Sequence, residues 1–306
     1  MTGRARPATM QALSTHVTLS MTQRRFLQLD VFADRPGAGN PLAVVIDADG
    51  LDTATMQAFA NWTNLSETIF LLPPGPGADY RVRIFTPRQE LPFAGHPSVG
   101  AAWAAIDSGL VDAGAASLMQ DCAAGHLPVQ AAPDRTIRVR APKARRAAPP
   151  TDWEARLAAA LDGVERGPLP AALWDNGPRW WLVELADEAA VRALVPDLAA
   201  ITALTADAAV GLAVFANADA GHDYDVVVRA FCPADGIPED PVTGSANAAI
   251  GAALFEAGRV APGSHYVASQ GREVGRDGRV DVQVDADGEV WIGGRVQAVV
   301  RGTVTW

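Results

Sequence analysis

The sequence predicts an α+β protein built from two like halves. Three observations carry that prediction. Strand-like runs outnumber helix-like ones, which argues against a simple alternating β-α sheet. A stretch beginning at Asp79 returns 146 residues later. A segment rich in proline and glycine, 145–170, separates the two copies.

Strands are expected, from runs of Val, Ile, Phe and Thr, at 26–33, 42–47, 68–73, 79–86 and 135–141 in the first half. The second half is expected to supply 178–185, 208–215, 223–231, 279–284 and 295–304. Helical spacing of apolar residues predicts helices over 53–62, 98–108, 152–162, 187–200 and 246–258. The segment 145–170, RRAAPPTDWEARLAAALDGVERGPLP, holds two adjacent prolines, a capped helix and a second Pro/Gly cluster, so the boundary between halves is expected near it.

The repeat is specific. At 146 residues apart, Asp79, Val82, Arg83, Phe85, Pro87 and Pro92 match Asp225, Val228, Arg229, Phe231, Pro233 and Pro238. At 151 residues apart, VGAAW (99–103) then matches IGAAL (250–254). Chance explains any two such identities and is a poor account of six in order followed by a shared helix core.

Composition excludes several classes. The 306 residues carry a formal net charge of −10, against the basic stripe of a nucleic-acid binder. Lys143 is the only lysine, so there is no phosphate-binding G-K-[ST] loop, and a pyridoxal Schiff base would have to form in a polar linker. Two distant cysteines, Cys122 and Cys232, fit free thiols in a reducing compartment, and a cytoplasmic location is expected. Five scattered histidines show no metal-ligand spacing, so no metal is expected. No apolar run approaches the ~20 residues a membrane span needs. Residues 1–23 are expected to form a poorly ordered extension; Met21, just before the first strand pattern, is a candidate alternative start.

Each repeat runs strand, Pro-bounded loop, small residues, helix. Such a joint presents backbone N–H groups at a positive helix end. Pro97 suits the first helical turn, since it has no N–H to lose. Gly95 and Gly244 allow a ligand close to the backbone. One such joint alone reads as an ordinary capped helix. Two related ones point to a carboxylate or oxyanion cradle at the interface between halves. The first joint carries His96; the second carries Glu239, Asp240, Thr243 and Ser245. A lone histidine before a helix is usually a cap or surface group, and Asp240 before Pro241 equally suits a turn.

The segments LDVFADRPGAGNPLAVV (29–45), NLSETIFLLPP (64–74), YRVRIFTPRQELPFAGHPSVGAA (80–102), GIPEDPVTGSA (236–246) and QGREVGR (270–276) stand in the order seen in one family. From about residue 24 to 306 the chain resembles the PhzF-like phenazine-biosynthesis family of the diaminopimelate epimerase-like superfamily. The resemblance implies two pseudo-symmetric halves, each a curved, barrel-like mixed sheet around a central helix. It implies a first half over 24–140 plus the returning strand 293–306, a second half over 141–292, and a homodimer. It implies a cofactor-independent isomerase that moves a proton, and with it a double bond, on a small carboxylate- or carbonyl-bearing molecule. Glu67 would be the acid/base, although by its sequence it reads as a surface residue beside a strand. His96 and Asp240 would line the pocket and assist; Gly95, Gly244 and Ser245 would hold the substrate. Epimerase relatives oppose two cysteines across the cleft, and the joints here, FAGHP and EDPVTG, carry none. Two other readings stay open: a binding protein that kept the fold without the chemistry, and a racemase or dehydratase variant.

Overall fold

The computed structural model describes residues 22–306. The expected extension over 1–23 lies outside them except for Thr22 and Gln23, and Gln23 already opens the first strand. In the first half the order is β1 (Gln23–Val31), β2 (Asn40–Val45), α1 (Thr53–Thr63), β3 (Glu67–Leu72), β4 (Tyr80–Phe85), β5 (Glu90–Leu91), α2 (Gly95–Asp107), β6 (Ser117–Cys122), β7 (Gly125–Ala131) and β8 (Ile137–Arg140). A short β9 (Arg145–Arg146) and α3 (Trp153–Ala160) lead into β10 (Ala172–Asp175), β11 (Arg179–Glu184), α4 (Glu188–Ala193), α5 (Leu198–Thr205), β12 (Gly211–Asn217), β13 (Val226–Cys232) and β14 (Ile237–Asp240). Then come α6 (Gly244–Glu256), β15 (Ser264–Gln270), β16 (Gly278–Val284), β17 (Val290–Gly294) and β18 (Val296–Thr305).

The pairing repeats as the sequence does. In the first half β1–β2 is antiparallel, β2–β3 parallel, β3–β4 antiparallel and β4–β6 parallel, with β6, β7 and β8 antiparallel in turn. The second half reproduces each relation with β10, β11, β12, β13, β15, β16 and β17. An antiparallel β8–β17 pair joins the two into one mixed sheet. The crossings are reciprocal: after β8 the chain passes as β9 onto β10, and after β17 it returns as β18 along β1.

The sheet curves around α2 and α6. Both helices are apolar or small on nearly every side, which suits a helix enclosed by a core. α2 packs against β1, β2, β3, β4 and β8, and α6 against β11, β16 and β17. Small residues let the sheet close on them. A Cβ at Gly100 would lie 2.3 Å from Leu42 Cδ2, and one at Gly251 2.8 Å from Val282 Cγ1.

The repeated identities have physical causes. Asp79 accepts the Met119 N–H on β6 at 2.6 Å, and Asp225 accepts the Val267 N–H on β15 at 2.9 Å, so each carboxylate anchors a parallel neighbour. Arg83 grips Glu90 through two bonds of 2.7 and 2.6 Å and lies 5.1 Å from the Phe85 ring centre. Arg229 grips Glu239 at 2.9 and 2.8 Å and lies 5.1 Å from the Phe231 ring centre. Each clamp pins the loop that leads to a central helix.

Several elements differ from expectation. The central helices begin at Gly95 and Gly244 rather than at 98 and 246, because the first turns are glycine-led and Pro97 sits inside the first one. The expected helix over 187–200 is two, α4 and α5, split where Pro196 removes a backbone donor. β6, β7, β10, β15 and β17 were not expected; their Gly, Pro and polar residues hide them until neighbouring strands supply partners.

The two clamps differ in depth, which gives a test. Side-chain exposures are 5% and 8% for Arg229 and Glu239, against 20% and 30% for Arg83 and Glu90. Urea denaturation should show Arg229→Ala losing about 3–5 kcal/mol, since it strands a buried carboxylate, and Arg83→Ala losing about 1 kcal/mol or less.

Candidate active site

The first turns of α2 and α6 meet backbone to backbone. A Cβ on Gly95 would lie 3.3 Å from the Cα of Gly244, and one on Gly244 would lie 3.4 Å from the His96 nitrogen. Neither helix has a side-chain cap at its N-terminus: Ala94 has no capping group and the Thr243 side chain makes no cap bond. Two positive helix ends therefore converge on one place, with first-turn N–H groups that no side-chain cap takes up.

Glu67 opens β3 and points toward this place. Its Oε2 lies 3.4 Å from Nε2 of His96 in the first turn of α2. Neither atom has a hydrogen-bond partner among the described residues. The two side chains are 17% and 6% exposed, so Glu67 is not the surface residue its sequence context suggests. Burial first, and then the charge of Asp240, push the Glu67 carboxyl up to about 8, while the Ser66 hydroxyl pulls it the other way. Burial drives His96 down to about 3, against a hydrogen bond to the Pro41 backbone. Proline has no N–H, so Pro41 offers its carbonyl and the imidazole donates. With Nε2 unpartnered, the donor is assigned to Nδ1, which leaves the Nε2 lone pair facing Glu67. At neutral pH the contact is a carboxylic acid beside a neutral imidazole, not an ion pair.

Asp240 ends β14 on the other half and is buried. Its Oδ1 accepts from Asn40 Nδ2 at 3.1 Å and its Oδ2 accepts from Thr243 Oγ1 at 2.5 Å. Burial raises its carboxyl to about 6, the two hydrogen bonds oppose that rise, and neighbouring Glu239 adds to it. Gln270, fully buried at the end of β15, supports the arrangement. Its Nε2 donates to the Asp240 carbonyl and to Thr243 Oγ1, and its Oε1 accepts from the Thr243 N–H and from Asn247. Two nearby carboxyls thus sit in different states at neutral pH, Glu67 protonated and Asp240 ionised.

Ser245 lies in the first turn of α6, where its Oγ accepts from the Trp180 indole at 3.1 Å. The structure thus brings Gly95, His96, Gly244, Ser245, Glu67 and Asp240 to one junction. Glu239 faces away, into the Arg229 clamp. Sequence reasoning gave no role to Asn40 or Gln270, although both lie in quoted motifs.

The pseudo-symmetry stops at Glu67. Thr68 pairs with Phe85 as Leu212 pairs with the equivalent Phe231, so the counterpart of Glu67 is Gly211. A Cβ there would lie 2.5 Å from the Phe231 carbonyl oxygen and 2.9 Å from Cys232 Sγ, leaving no room for a second carboxyl. Burial, Asp240, Asp235 and Glu67 all raise the Cys232 thiol, which disfavours a thiolate. A separate cavity of about 350 Å³, bordered by Leu71, Pro74, Tyr80 and Leu110, lies toward the far end of β3.

Comparison with known proteins places the chain among isomerases with an epimerase-like fold. A family model described as "Phenazine biosynthesis-like protein" matches residues 29–302, and the chain belongs to that family. Antisense-enhancing sequence 1 of Schizosaccharomyces pombe is 32% identical, over 92% of this chain and 99% of that protein. A trans-2,3-dihydro-3-hydroxyanthranilate isomerase of Pseudomonas aeruginosa is 36% identical, over 90% of this chain and 94% of that one. The crystal structure of a PhzF-family protein from Bacillus anthracis superposes with a TM-score of 0.78 at 27% identity, covering 93% of this chain and 99% of that one. A hydroxyproline epimerase from Agrobacterium vitis shares the fold at a TM-score of 0.62 and 16% identity, covering 92% of each chain.

The raised Glu67 carboxyl makes a stability prediction. Its ordinary value is 4.5 and the folded value about 8, so the folded chain holds the extra proton between them and stability falls as pH rises through that window. Glutamine cannot ionise. Glu67→Gln should therefore exceed the wild type in urea-unfolding stability at pH 9, by on the order of a few kcal/mol, with the gap closing toward pH 4. His96 has the opposite sign, since stability is lost as pH falls from 6.5 toward about 3, and it contributes equally to both proteins.

Proposed function

We propose that this chain catalyses a cofactor-independent proton shift on a small carboxylate-bearing ring, of the kind named for the trans-2,3-dihydro-3-hydroxyanthranilate isomerases. One observation carries the reading: a buried carboxyl pushed up to about 8 sits beside two uncapped helix starts. In its ionised form Glu67 takes a proton from a substrate carbon. The electron pair of that C–H bond moves into the ring, the double bond shifts, and negative charge builds on the conjugated carbonyl or carboxylate. First-turn N–H groups at Gly95, His96, Gly244 and Ser245 are the donors placed to meet that charge. Glu67, now protonated, donates toward His96 Nε2 and then delivers the proton to a second carbon, so the base is regenerated. Asp240, ionised above about 6, keeps the proton affinity of Glu67 high by its charge.

One acid/base suits an isomerisation that lifts and returns a proton on one face. A racemase that works from two sides needs a partner base, and the equivalent position is Gly211. Gln cannot take a proton, so Glu67→Gln should lower turnover of trans-2,3-dihydro-3-hydroxyanthranilate by about 10²–10⁴-fold, read by absorbance and by a carbon-bound deuteron appearing in D₂O. Retained turnover in Glu67→Gln would remove Glu67 from the mechanism, and no turnover by the wild type would remove this substrate class. The wild-type kcat/KM should climb with pH and level off above about 8, where the base is ionised in the free enzyme. A flat profile from pH 6 to 9 would contradict the assignment.

A further inference from the structure

Asn40 is 1% exposed and uses its whole amide to tie the two halves at the site. It opens β2 in the first half. Its Nδ2 donates to Asp240 Oδ1 at 3.1 Å, at the end of β14, and to the Val242 carbonyl at 2.9 Å, on the loop that follows into α6. Its Oδ1 accepts from the hydroxyl of Ser66 at 3.1 Å, and Ser66 immediately precedes Glu67. Both amide protons therefore serve the second half, and the oxygen serves the residue next to the acid/base of the first. The bond from Asn40 Nδ2 links Asp240 to the first half; its other bonded supports, Thr243 and Gln270, lie on its own half.

We propose that Asn40 is a positioning residue that holds Asp240 ionised and at a fixed place relative to Glu67. The proposal rests on the proton-transfer reading above for its catalytic consequence, but not for its electrostatic one. An amide N–H favours a carboxylate over a carboxylic acid, so its removal favours the neutral Asp240. The other groups facing Asp240 are acidic or neutral: Glu67 from β3, Cys232 from β13 and Glu239 from its own strand, the last held by Arg229. None of them can replace the lost donor. Between the wild-type and variant midpoints Asp240 is then neutral, and Glu67 has lost the charge beside it in that pH window. A group that merely packs would leave the Asp240 midpoint where it is.

The test is a carboxyl ¹³C NMR titration of the full chain as wild type, Asn40→Ala and Asn40→Asp, with thermal melts as the check on folding. Asn40→Ala removes the donor; Asn40→Asp removes it and adds a negative charge in the same shape. Asp240 should titrate near 6 in the wild type, about one unit higher in Asn40→Ala, and higher again in Asn40→Asp. Turnover should fall about tenfold or more in kcat with KM within a few-fold, since substrate contacts remain. Asp240 titrating unchanged in either variant that melts cooperatively would overturn the proposal. Where only one variant folds, that one decides; if neither folds, Asn40 is structural first and the proposal fails. A shifted Asp240 in a protein whose wild type turns over no anthranilate-type substrate would uphold the positioning role while sinking the catalytic reading.

Discussion

The site depends on one contact: the first turns of two central helices touch through glycines. Gly95 and Gly244 leave no side chain between the backbones, and a Cβ at either would press on Ile292 Cδ1 at 2.6 or 2.8 Å. That approach turns two folded units into one cleft. It lets Asn40 of the first half reach Asp240 of the second at 3.1 Å, beside the 3.4 Å contact of Glu67 with His96 within the first half. If the helices stood one side chain further apart, each carboxyl would have more water and a more ordinary acidity.

The electrostatics follow from that closeness. Burial raises both carboxyls, but Asp240 has two hydrogen-bond donors to its charged form while Glu67 Oε2 has none. The same burial lowers His96, and a positive helix end beside it acts in the same sense. A neutral acid, a neutral imidazole and a carboxylate then share one junction. Separating the acidities of two neighbouring carboxyls is how one site can give them different tasks.

Much of this was legible in the sequence, and what was not has physical reasons. The repeat announced itself because Asp79/Asp225, Arg83/Arg229 and Phe85/Phe231 perform the same local task twice. The two helix joints were visible through Gly95, Pro97 and Gly244. Glu67 was not: in NLSETIF nothing local marks it, and what sets it apart is the contact with His96 of α2 and the charge of Asp240, which lies far along the chain. Only family likeness singled it out. Asn40 hid for a related reason, since an asparagine before a proline reads as a turn former until its partners 200 and 202 residues away are seen. Glu239, which stands beside Asp240 in the second joint, balances Arg229 instead. Short strands such as β10 and β17 carry too little pattern to stand out, and their register is set by neighbours.

The two halves repeat the scaffold and differ at the site. Two equal halves would offer two equal carboxyls, but the second half has Gly211 where the first has Glu67, and the space there is taken by backbone and by Cys232. The account therefore stands or falls on the state of one side chain. The most direct measurement is infrared difference spectroscopy at pH 7, wild type minus Glu67→Gln, in the region of the protonated-carboxyl stretch. The account predicts a carboxylic acid band that belongs to Glu67 and bleaches as the pH passes about 8. A carboxylate signature for Glu67 at pH 7, with no acid band, would contradict it.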